Sequence, residues 1–333
     1  MQTELSRVQE ALRSAGRVLL TCHVNPDGDA VGSLVALAHI AQDMDCDVRL
    51  IFFSPLPDFL NWLPLPAPTV SQLSELGEWV PDLVIFADCG DADRAGSELA
   101  AVALKRPPLP AEDWQNVRTV NIDHHRSNPG FADINWVEPE RSATGELVGM
   151  LAESLDIALG GNLGVSLYMA IASDTGNFTY SNTSSDCLAL ASRIVDAGLD
   201  VGRFTERFEN NWSIGRMHLW GRLMSEIELH EDGAVSLCVV PRRYFDEFGL
   251  DKAALDGFAS LLRRLRGVRV GIFIREDAPG LCKVSLRSMG DVDVQAVAAL
   301  FGGGGHKAAA GADLRMESDE AAREVLAKVR ERL

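Results

Sequence analysis

The sequence predicts an α/β architecture in which an N-terminal parallel-sheet domain is joined by a helical connector to a smaller α+β domain. Three short apolar runs, at residues 18–22, 48–53 and 83–87, are typical of strands buried on both faces of a sheet. Residues 30–44, between the first two runs, carry apolar side chains at helical spacing. Strand, helix and strand in this order indicate a parallel sheet.

The remaining elements of the first domain extend this pattern. Residues 117–122 predict a fourth strand because most of them are β-branched, although Arg118 and Asn121 interrupt the run. Helical spacing recurs in three further segments, at residues 147–155, 163–172 and 185–197. The first of these helices follows a start signal in which Ser142 or Thr144 is the expected cap.

The pattern changes after residue 200. Residues 201–229 are rich in Arg, Glu, Trp and Met and lack strand signals, so we interpret them as a helical connector. The predicted domains are therefore residues 1–200 and 230–333, and 333 residues are enough for two cores. In the second domain we expect antiparallel strands at 235–240, 268–274 and 281–286, and helices at 252–264, 293–301 and 318–330.

Composition excludes some partners. The chain has 31 basic and 48 acidic residues and a net charge of −17. This charge repels long polyanions, so a long duplex is not an expected partner and a nucleic-acid substrate should be short. The six cysteines lack CxxC spacing and are expected to be reduced thiols. Because no apolar run is long enough for a membrane span or a signal peptide, we expect a cytoplasmic protein that does not bind membranes.

Carboxylates and imidazoles are concentrated in four short segments, at residues 23–29, 87–91, 123–125 and 173–176. Hard oxygen donors mixed with histidine nitrogens are the ligands that a pair of divalent cations requires. Three of the segments begin where a predicted strand ends, and ligands bind at that edge of open α/β sheets. The four segments together predict a two-metal phosphoesterase.

Individual residues in these segments have different expected roles. Asp88, at the end of a buried strand, is placed to bridge two cations about 3.5 to 4 Å apart. One of the two adjacent histidines would ligate a cation while the other faces a substrate phosphate, and Asp123 would orient one ring. Alternatives remain for three carboxylates: Asp29 as a helix cap, and Asp91 and Asp93 in a solvated turn, which is the favoured interpretation of those two. We expect Cys89 to be a packing residue.

A glycine-rich loop at residues 302–307 stands out in the second domain. Its spacing differs from that of a Walker loop, but successive glycine amides can approach a substrate closely, and cationic side chains can bind a terminal phosphate. The candidate substrate-binding residues are Arg287, Ser288, Gly303, Gly304, Gly305, His306 and Lys307. The alternative is a flexible turn with solvated cations.

The four acidic and histidine-containing segments resemble, in order and residue type, motifs I to IV of the DHH phosphoesterase superfamily. The glycine-rich loop resembles that of the associated DHHA1 domain. By position, the resemblance implies ligands for two cations, Mn²⁺ or alternatively Mg²⁺: His23 and Asp27 for one, Asp29, His124 and Asp174 for the other, and Asp88 for both. It also implies that Asp88 and His125 are catalytic and that His125 faces the phosphate.

Within the superfamily, the length and the loop look most like the branch of bifunctional oligoribonucleases and phosphatases. The resemblance implies exonucleolytic hydrolysis of short RNA or DNA oligonucleotides and dephosphorylation of 3'-phosphoadenosine 5'-phosphate (pAp). Two alternatives remain: a soluble phosphodiesterase for cyclic or linear dinucleotides such as c-di-AMP and pApA, and a metal-dependent nucleotide-binding regulator without turnover. The sequence leaves open whether the chain forms a homodimer.

Overall fold

The predicted parallel sheet is the centre of the first of two units. The computed structural model describes residues 2–209 and 212–333, and the chain divides into the units Met1–Asn211 and Trp212–Leu333. The strands of the first sheet are β1 (Arg17–Cys22), β2 (Asp47–Ile51), β3 (Thr69–Val70), β4 (Leu83–Ala87), β5 (Arg118–Asp123) and β6 (Ile134–Val137). The bounds of β4 are as predicted, and those of β1, β2 and β5 differ from the predicted ones by one or two residues.

The strand order of this sheet creates a switch point. The order is β3-β2-β1-β4-β5-β6, and all neighbours are parallel. From β1 the chain adds β2 and β3 on one side of the sheet, and from β4 it adds β5 and β6 on the other. Ligands are therefore expected beside the two central strands, β1 and β4. Cys22, Ala87 and Ile122 pair level with one another across β1, β4 and β5. The residues that follow these strands therefore leave the sheet at one edge.

Helices cover the first sheet. They are α1 (Gln2–Ser14), α2 (Gly28–Asp43), α3 (Ser97–Ala103), α4 (Thr144–Ser154), α5 (Gly161–Asp174), α6 (Ser185–Asp196) and α7 (Val201–Phe208). The four helices predicted in this unit are confirmed as α2, α4, α5 and α6. α2 is buried along most of its length because it packs against α4, α5 and the sheet. Its burial explains the lack of a polar face in its sequence.

The first residues of α2 show whether Asp27 or Asp29 caps this helix. The helix begins at Gly28, and its N-cap is Asp27, whose Oδ1 accepts a hydrogen bond from the amide of Ala30 at 3.1 Å. The alternative in which Asp29 is the cap is therefore wrong. Asp29 lies inside the first turn and is fully buried, so its carboxylate needs partners from elsewhere in the fold.

Those partners are at the start of α4. This helix begins at Thr144 with Ala143 as its N-cap, so the expected cap, Ser142 or Thr144, is wrong. The Ala143 side chain cannot accept a hydrogen bond, but the first amides of α4 donate to the carboxylate of Asp29 instead. A helix end that lacks its own cap is thus satisfied by a residue distant in sequence.

The second unit contains a second six-stranded sheet, of order β11-β12-β10-β9-β8-β7. Its strands are β7 (Glu228–His230), β8 (Val235–Val240), β9 (Val270–Ala278), β10 (Leu281–Ser288), β11 (Gly304–His306) and β12 (Ala309–Leu314). Its helices are α8 (Ile214–Ser225), α9 (Arg243–Phe248), α10 (Phe258–Leu262), α11 (Val294–Ala299) and α12 (Ser318–Arg330). α12 has the predicted bounds, and α11 lies within its predicted segment.

One strand pair of this sheet differs in direction from the prediction. β8 and β9 are parallel, so the sheet is mixed and not purely antiparallel. The chain between them contains α9 and α10, and such a crossover returns a strand in the same direction. The helix predicted at 252–264 is also interrupted, because Gly257 has a φ of 88° and separates a short 3-10 turn from α10.

Two short strands lie where other structure was expected. β7 occupies the end of the predicted connector, at the edge of the sheet beside β8. β11 lies within the glycine-rich loop and pairs with β12, with His306 opposite Ala309. Glycine is depleted in strands, so composition alone favours a loop there. In the part of the chain that the structure describes, no helix is both long enough and apolar enough to cross a membrane.

Candidate active site

The candidate active site lies beside the switch point of the first sheet. His23 follows β1, Asp88 follows β4 and His124 follows the end of β5, as predicted. The φ of Asp88 is 57°, a backbone conformation that costs a non-glycine residue about 1 to 3 kcal/mol. Asp88 is also only 2 % exposed. A strained, buried carboxylate at the end of a central strand is typical of a functional site.

Two histidines present the same ring nitrogen to the carboxylates. Nδ1 of His23 lies 2.9 Å from the carbonyl oxygen of Val24, and Nδ1 of His124 lies 3.2 Å from that of Arg141. A carbonyl oxygen only accepts hydrogen bonds, so each Nδ1 carries the hydrogen and donates it. The neutral rings then present the lone pair of Nε2, which is the arrangement of a metal-ligating histidine.

The carboxylates form two groups around these Nε2 atoms. Nε2 of His23 lies 3.5 Å from Oδ2 of Asp88 and 3.9 Å from Oδ2 of Asp27. The carboxylate oxygens around Nε2 of His124 are Oδ2 of Asp174 at 3.2 Å, Oδ1 of Asp88 at 3.6 Å and Oδ2 of Asp29 at 3.7 Å. Asp88 therefore faces a different group with each of its two oxygens, as a bridging ligand does.

The start of α4 supports both groups. The carboxylate of Asp29 accepts hydrogen bonds from the amides of Thr144 at 2.7 Å and Gly145 at 2.9 Å. The positive end of the helix dipole stabilises this buried negative charge. The hydroxyl of Thr144 also donates to Oδ1 of Asp88 at 3.0 Å. Neither α4 residue is among the predicted site residues, because they lie 115 and 116 positions from Asp29 and their types carry no signal for this contact.

The carboxylates raise the proton affinity of both imidazoles. Burial alone would lower the pKa of His23, but its carboxylate neighbours outweigh burial and raise the pKa to about 10. Burial opposes protonation of His124 in the same way, yet Asp174 and the other carboxylates raise its pKa to about 11. Burial, together with the charges of Asp88 and Asp174, holds the pKa of the Asp29 carboxyl well above its usual range. The cluster thus requires added positive charge.

The donor set fits two divalent cations. Among the described residues, three groups place their donor atoms close together: Asp88 with His124 and His125, His23 with Asp27 and Asp88, and Asp29 with His124 and Asp174. All of these donors are carboxylate oxygens or imidazole nitrogens, a set that suits hard and borderline cations such as Mg²⁺ and Mn²⁺. The four carboxylates of the last two groups carry a charge of −4, which two divalent cations would balance.

His125 differs from the other two histidines in its partner. Its Nδ1 lies 2.7 Å from Oδ1 of Asp123, a fully buried carboxylate, and not against a backbone carbonyl. The side chain of His125 is 19 % exposed, whereas that of His23 is 5 % exposed. The carboxylate of Asp123 thus orients the ring of His125, which is more exposed than that of His23.

The neighbours of Asp88 have structural roles. Asp91 is exposed, and its Oδ1 accepts the amide hydrogen of Asp93 at 2.8 Å, so the turn interpretation is confirmed. Cys89 is fully buried and packs in the apolar cluster on one side of the sheet, as predicted. All six cysteines are buried and free.

The predicted substrate-binding residues lie together in the second unit, at one end of β10 and in the β11–β12 hairpin. Arg287 is half-buried near the end of β10, and the three glycines, His306 and Lys307 are exposed or half-buried. Ser288 is 2 % exposed, and its hydroxyl donates to the carbonyl of Val292 at 2.8 Å. Its amide donates to Ala308, so Ser288 braces the base of the hairpin.

Cation binding to the metal-free protein is expected to release at least two protons per chain at pH 8. His23 and His124 hold protons below their raised pKa values of about 10 and 11, and a ligating imidazole must be neutral. Apparent affinity should therefore rise with pH from 6 to 9. Calorimetric titration with Mn²⁺ in two buffers of different ionisation enthalpy measures the release. A heat of binding that is independent of the buffer would contradict this charge assignment.

Family models and known proteins match nearly the whole chain. The model for the DHH family, N-terminal domain, matches residues 17–173, and the model for the DHHA1 domain matches residues 233–333. The chain is 30 % identical over 332 residues to the bifunctional oligoribonuclease and PAP phosphatase NrnA of Thermus thermophilus. The alignment covers 98 % of this chain and 93 % of that protein. It is 25 % identical over 316 residues to the cyclic-di-AMP phosphodiesterase PdeA of Listeria monocytogenes, covering 92 % of this chain and 46 % of that protein.

A solved structure has the same fold. The crystal structure of an exopolyphosphatase-related protein from Bacteroides fragilis superposes with a TM-score of 0.88 at 26 % identity, covering 99 % of this chain and 96 % of that one. The resemblance inferred from the acidic and histidine-containing motifs is thus confirmed by relatives that align along almost the full length. The chain belongs to the DHH phosphoesterase family, in the form that combines a DHH domain with a DHHA1 domain.

Proposed function

We propose that this chain hydrolyses short oligoribonucleotides exonucleolytically and dephosphorylates pAp, using two divalent cations held at the edge of the first sheet. The observation that carries the proposal is the position of Asp88, whose two oxygens face two separate groups of ligands at 3.5 and 3.6 Å. The relative named as a bifunctional oligoribonuclease and PAP phosphatase supports both substrates, because it aligns with 98 % of the chain.

The ligands are assigned from the geometry of the two groups. His23 and Asp27 would hold one cation, Asp29, His124 and Asp174 would hold the other, and Asp88 would contact both. Mn²⁺ is the proposed ion and Mg²⁺ the alternative. Both ions suit oxygen-rich sites. When bound, the cations neutralise the oxygens of a phosphate and lower the pKa of a water molecule toward neutrality. Thr144 and the α4 amides keep the carboxylates oriented.

His125 is the proposed acid for the leaving group. Asp123 holds the ring through Nδ1, and we assign Nε2 to the substrate. Hydrolysis of either a phosphodiester or a phosphomonoester leaves an alkoxide that needs a proton, and Nε2–H of the imidazolium can supply it. The same ring can bind the phosphate before reaction, which gives His125 a role in binding as well as in catalysis.

Substrate binding is assigned to the hairpin and its surroundings in the second unit. Arg287, His306 and Lys307 are the cationic or hydrogen-bonding side chains, and Gly303, Gly304 and Gly305 provide amides that a phosphate can approach. In a chain of net charge −17, local cations are needed to hold an anionic substrate. Ser288 supports these residues from the core of the unit.

Gly304→Ala is expected to raise the KM for pAp about tenfold without lowering stability. Gly303 must be glycine, because an added Cβ would lie 2.1 Å from the carbonyl oxygen of Gly311. A Cβ at Gly304 would meet nothing within 4 Å, and its φ lies outside the left-handed region, so the fold itself does not require glycine there. The added methyl group would instead crowd a ligand at the amide.

The matched control for that variant is Gly221→Ala. A Cβ added at Gly221 would also meet nothing within 4 Å, but this glycine lies in α8 and not in the hairpin. Steady-state kinetics and thermal unfolding of both variants provide the comparison. An unchanged KM for pAp in Gly304→Ala, at unchanged stability, would contradict the assignment of this amide to substrate binding.

The function is tested by parallel kinetics with Mn²⁺ on pAp, pApA, c-di-AMP and a labelled RNA five-mer. We expect release of AMP from pAp and of mononucleotides from the five-mer, with slower turnover of c-di-AMP. Preferred turnover of c-di-AMP or pApA would favour the dinucleotide alternative, which the alignment of the cyclic-di-AMP phosphodiesterase with 92 % of this chain supports. Ligand-dependent stabilisation without product from any substrate would indicate a binding regulator.

The cellular site of this activity is proposed to be the cytoplasm. Six free, buried thiols suit a reducing compartment.

A further inference from the structure

A network of side-chain amides lies behind His125 and has no part in the ligand set. Asn128 follows His125 in a turn that is closed by a hydrogen bond from the Asn128 amide to the carbonyl of His125 at 3.1 Å. The side-chain Nδ2 of Asn128 lies 2.5 Å from Oδ2 of Asp123, 2.6 Å from Oδ1 of Asn121 and 3.0 Å from the carbonyl of Cys89. Asn128 thus contacts the carboxylate that holds His125.

The orientation of the Asn128 amide is fixed by its surroundings. Its Oδ1 accepts the amide hydrogen of Gly130 at 2.8 Å, and its Nδ2 faces three oxygen acceptors. With the amide reversed, the Asn128 oxygen would face these three oxygen atoms, and no hydrogen bond could form between them. Asn121 is fixed in the same way, because its Nδ2 donates to the carbonyls of Phe86 and Cys89. The direction of every hydrogen bond in the network is therefore set.

The network determines which nitrogen of His125 carries hydrogen. Asp123 is fully buried, and its oxygens accept from Asn128 and from His125. A charged carboxylate only accepts, so Nδ1 of His125 must be the donor in this hydrogen bond. The backbone of Gly90 also restrains the side chain of His125. A Cβ added at Gly90 would lie 3.1 Å from Cβ of His125, so the two residues are in direct contact.

We propose that Asn128 is a positioning residue for hydrolysis, which acts through Asp123 to fix the ring orientation of His125 and the Nδ1–H tautomer that remains after its imidazolium has donated from Nε2. This inference rests on the proposed function, in which His125 contacts the phosphate. Asn128 itself need not touch the substrate. Loss of its donor leaves one oxygen of a buried carboxylate without its partner, and Asp123 is then free to rotate and to take the ring of His125 out of line.

The variant that isolates this role is Asn128→Asp. Its carboxyl group has the size of the amide and can still accept from Gly130, but in the ionised form it replaces the donor to Asp123 with an acceptor. Because two close carboxylates raise the pKa of one of them, the variant is measured at a pH at which the new carboxyl is ionised. The matched control is Asn135→Asp, because Asn135 also braces its own turn, donating to the carbonyl of Ala132 at 2.7 Å. The side-chain hydrogen bonds of Asn135 go to Ala132 and not to the His125 network.

We expect kcat for pAp and for an RNA five-mer to fall about 10- to 100-fold in Asn128→Asp. The Mn²⁺ affinity of the metal-free protein should change less than about twofold, because no residue of the ligand set is altered. Long-range ¹H–¹⁵N spectra of the Mg²⁺-loaded protein, recorded at a pH at which the ring of His125 is neutral, should show the Nδ1–H form of His125 in the wild type and in Asn135→Asp. Asn128→Asp should show a mixture of tautomers.

The outcomes separate the two proposals. A wild-type protein that hydrolyses none of the substrates overturns the proposed function, whereas the tautomer spectra still decide whether Asn128 fixes the ring. Wild-type kcat in Asn128→Asp, or an equal loss of kcat in Asn135→Asp, overturns the role of Asn128 alone. A wild-type tautomer pattern in Asn128→Asp would also overturn it. A shift in Mn²⁺ affinity large enough to explain the loss of kcat would identify a ligand-shell effect and not positioning.

Discussion

Asp88→Asn is expected to reduce hydrolysis of both pAp and an RNA five-mer by about 10³-fold at saturating Mn²⁺. The change preserves the volume of the side chain but removes one negative charge and replaces one of two oxygens with a donor nitrogen. Because Oδ1 and Oδ2 face different ligand groups, either orientation of the amide leaves one group without its bridging oxygen. Initial rates measured on both substrates provide the test.

The rates of hydrolysis of the two substrates must fall together, because both are assigned to one site. Asp91→Asn is the matched control: Asp91 is exposed, three positions away, and only caps a short turn. We expect it to retain wild-type rates. Asp88→Asn that keeps one activity while losing the other would contradict a shared site, and retention of both would contradict the bridging role.

Gly32→Ala is expected to lower the free energy of unfolding by about 1 to 3 kcal/mol and to weaken Mn²⁺ binding. An added Cβ would lie 2.5 Å from the carbonyl oxygen of Ser166 and 2.8 Å from the amide nitrogen of Ala170, so α2 and α5 would have to separate. α2 carries Asp29 near its start and α5 ends at Asp174. A shift between these helices therefore also moves two carboxylates of one ligand group.

Chemical denaturation and Mn²⁺ titration of the folded variant measure the two effects. Gly221→Ala is the control, because it lies in a helix where an added Cβ meets nothing within 4 Å. Alanine there should stabilise by up to about 1 kcal/mol, through helix propensity alone. If Gly32→Ala were as stable as wild type, the close contact of α2 and α5 would be excluded as a support of the site.

The sequence predicts the central strands well because their physical signal is strong. β1, β4 and β5 are buried on both faces, so their apolar or β-branched composition is nearly continuous. The short edge strands carry no such signal. β7 has two exposed residues of three, and β11 is exposed throughout and contains two glycines, so both form mainly because a neighbouring strand is available to pair with them.

The site is predictable where chemistry selects unusual residues and not where it uses ordinary ones. Histidines and aspartates clustered after strands indicate a metal site, and the family resemblance assigns their individual roles. Asn128 and Thr144 are common polar residues, and their contacts depend on the fold. The contact of Asp29 with the start of α4 spans 115 positions, and a helix without a side-chain cap is the only local sign that an external carboxylate is needed.

The most direct measurement is anomalous diffraction from crystals of this protein grown with Mn²⁺. Two peaks are predicted beside the switch point, about 3.5 to 4 Å apart, each within bonding distance of one oxygen of Asp88. His23 should contact one peak and His124 the other. A single peak, or a pair of peaks that do not share Asp88, would contradict the central claim that this carboxylate joins two cation sites.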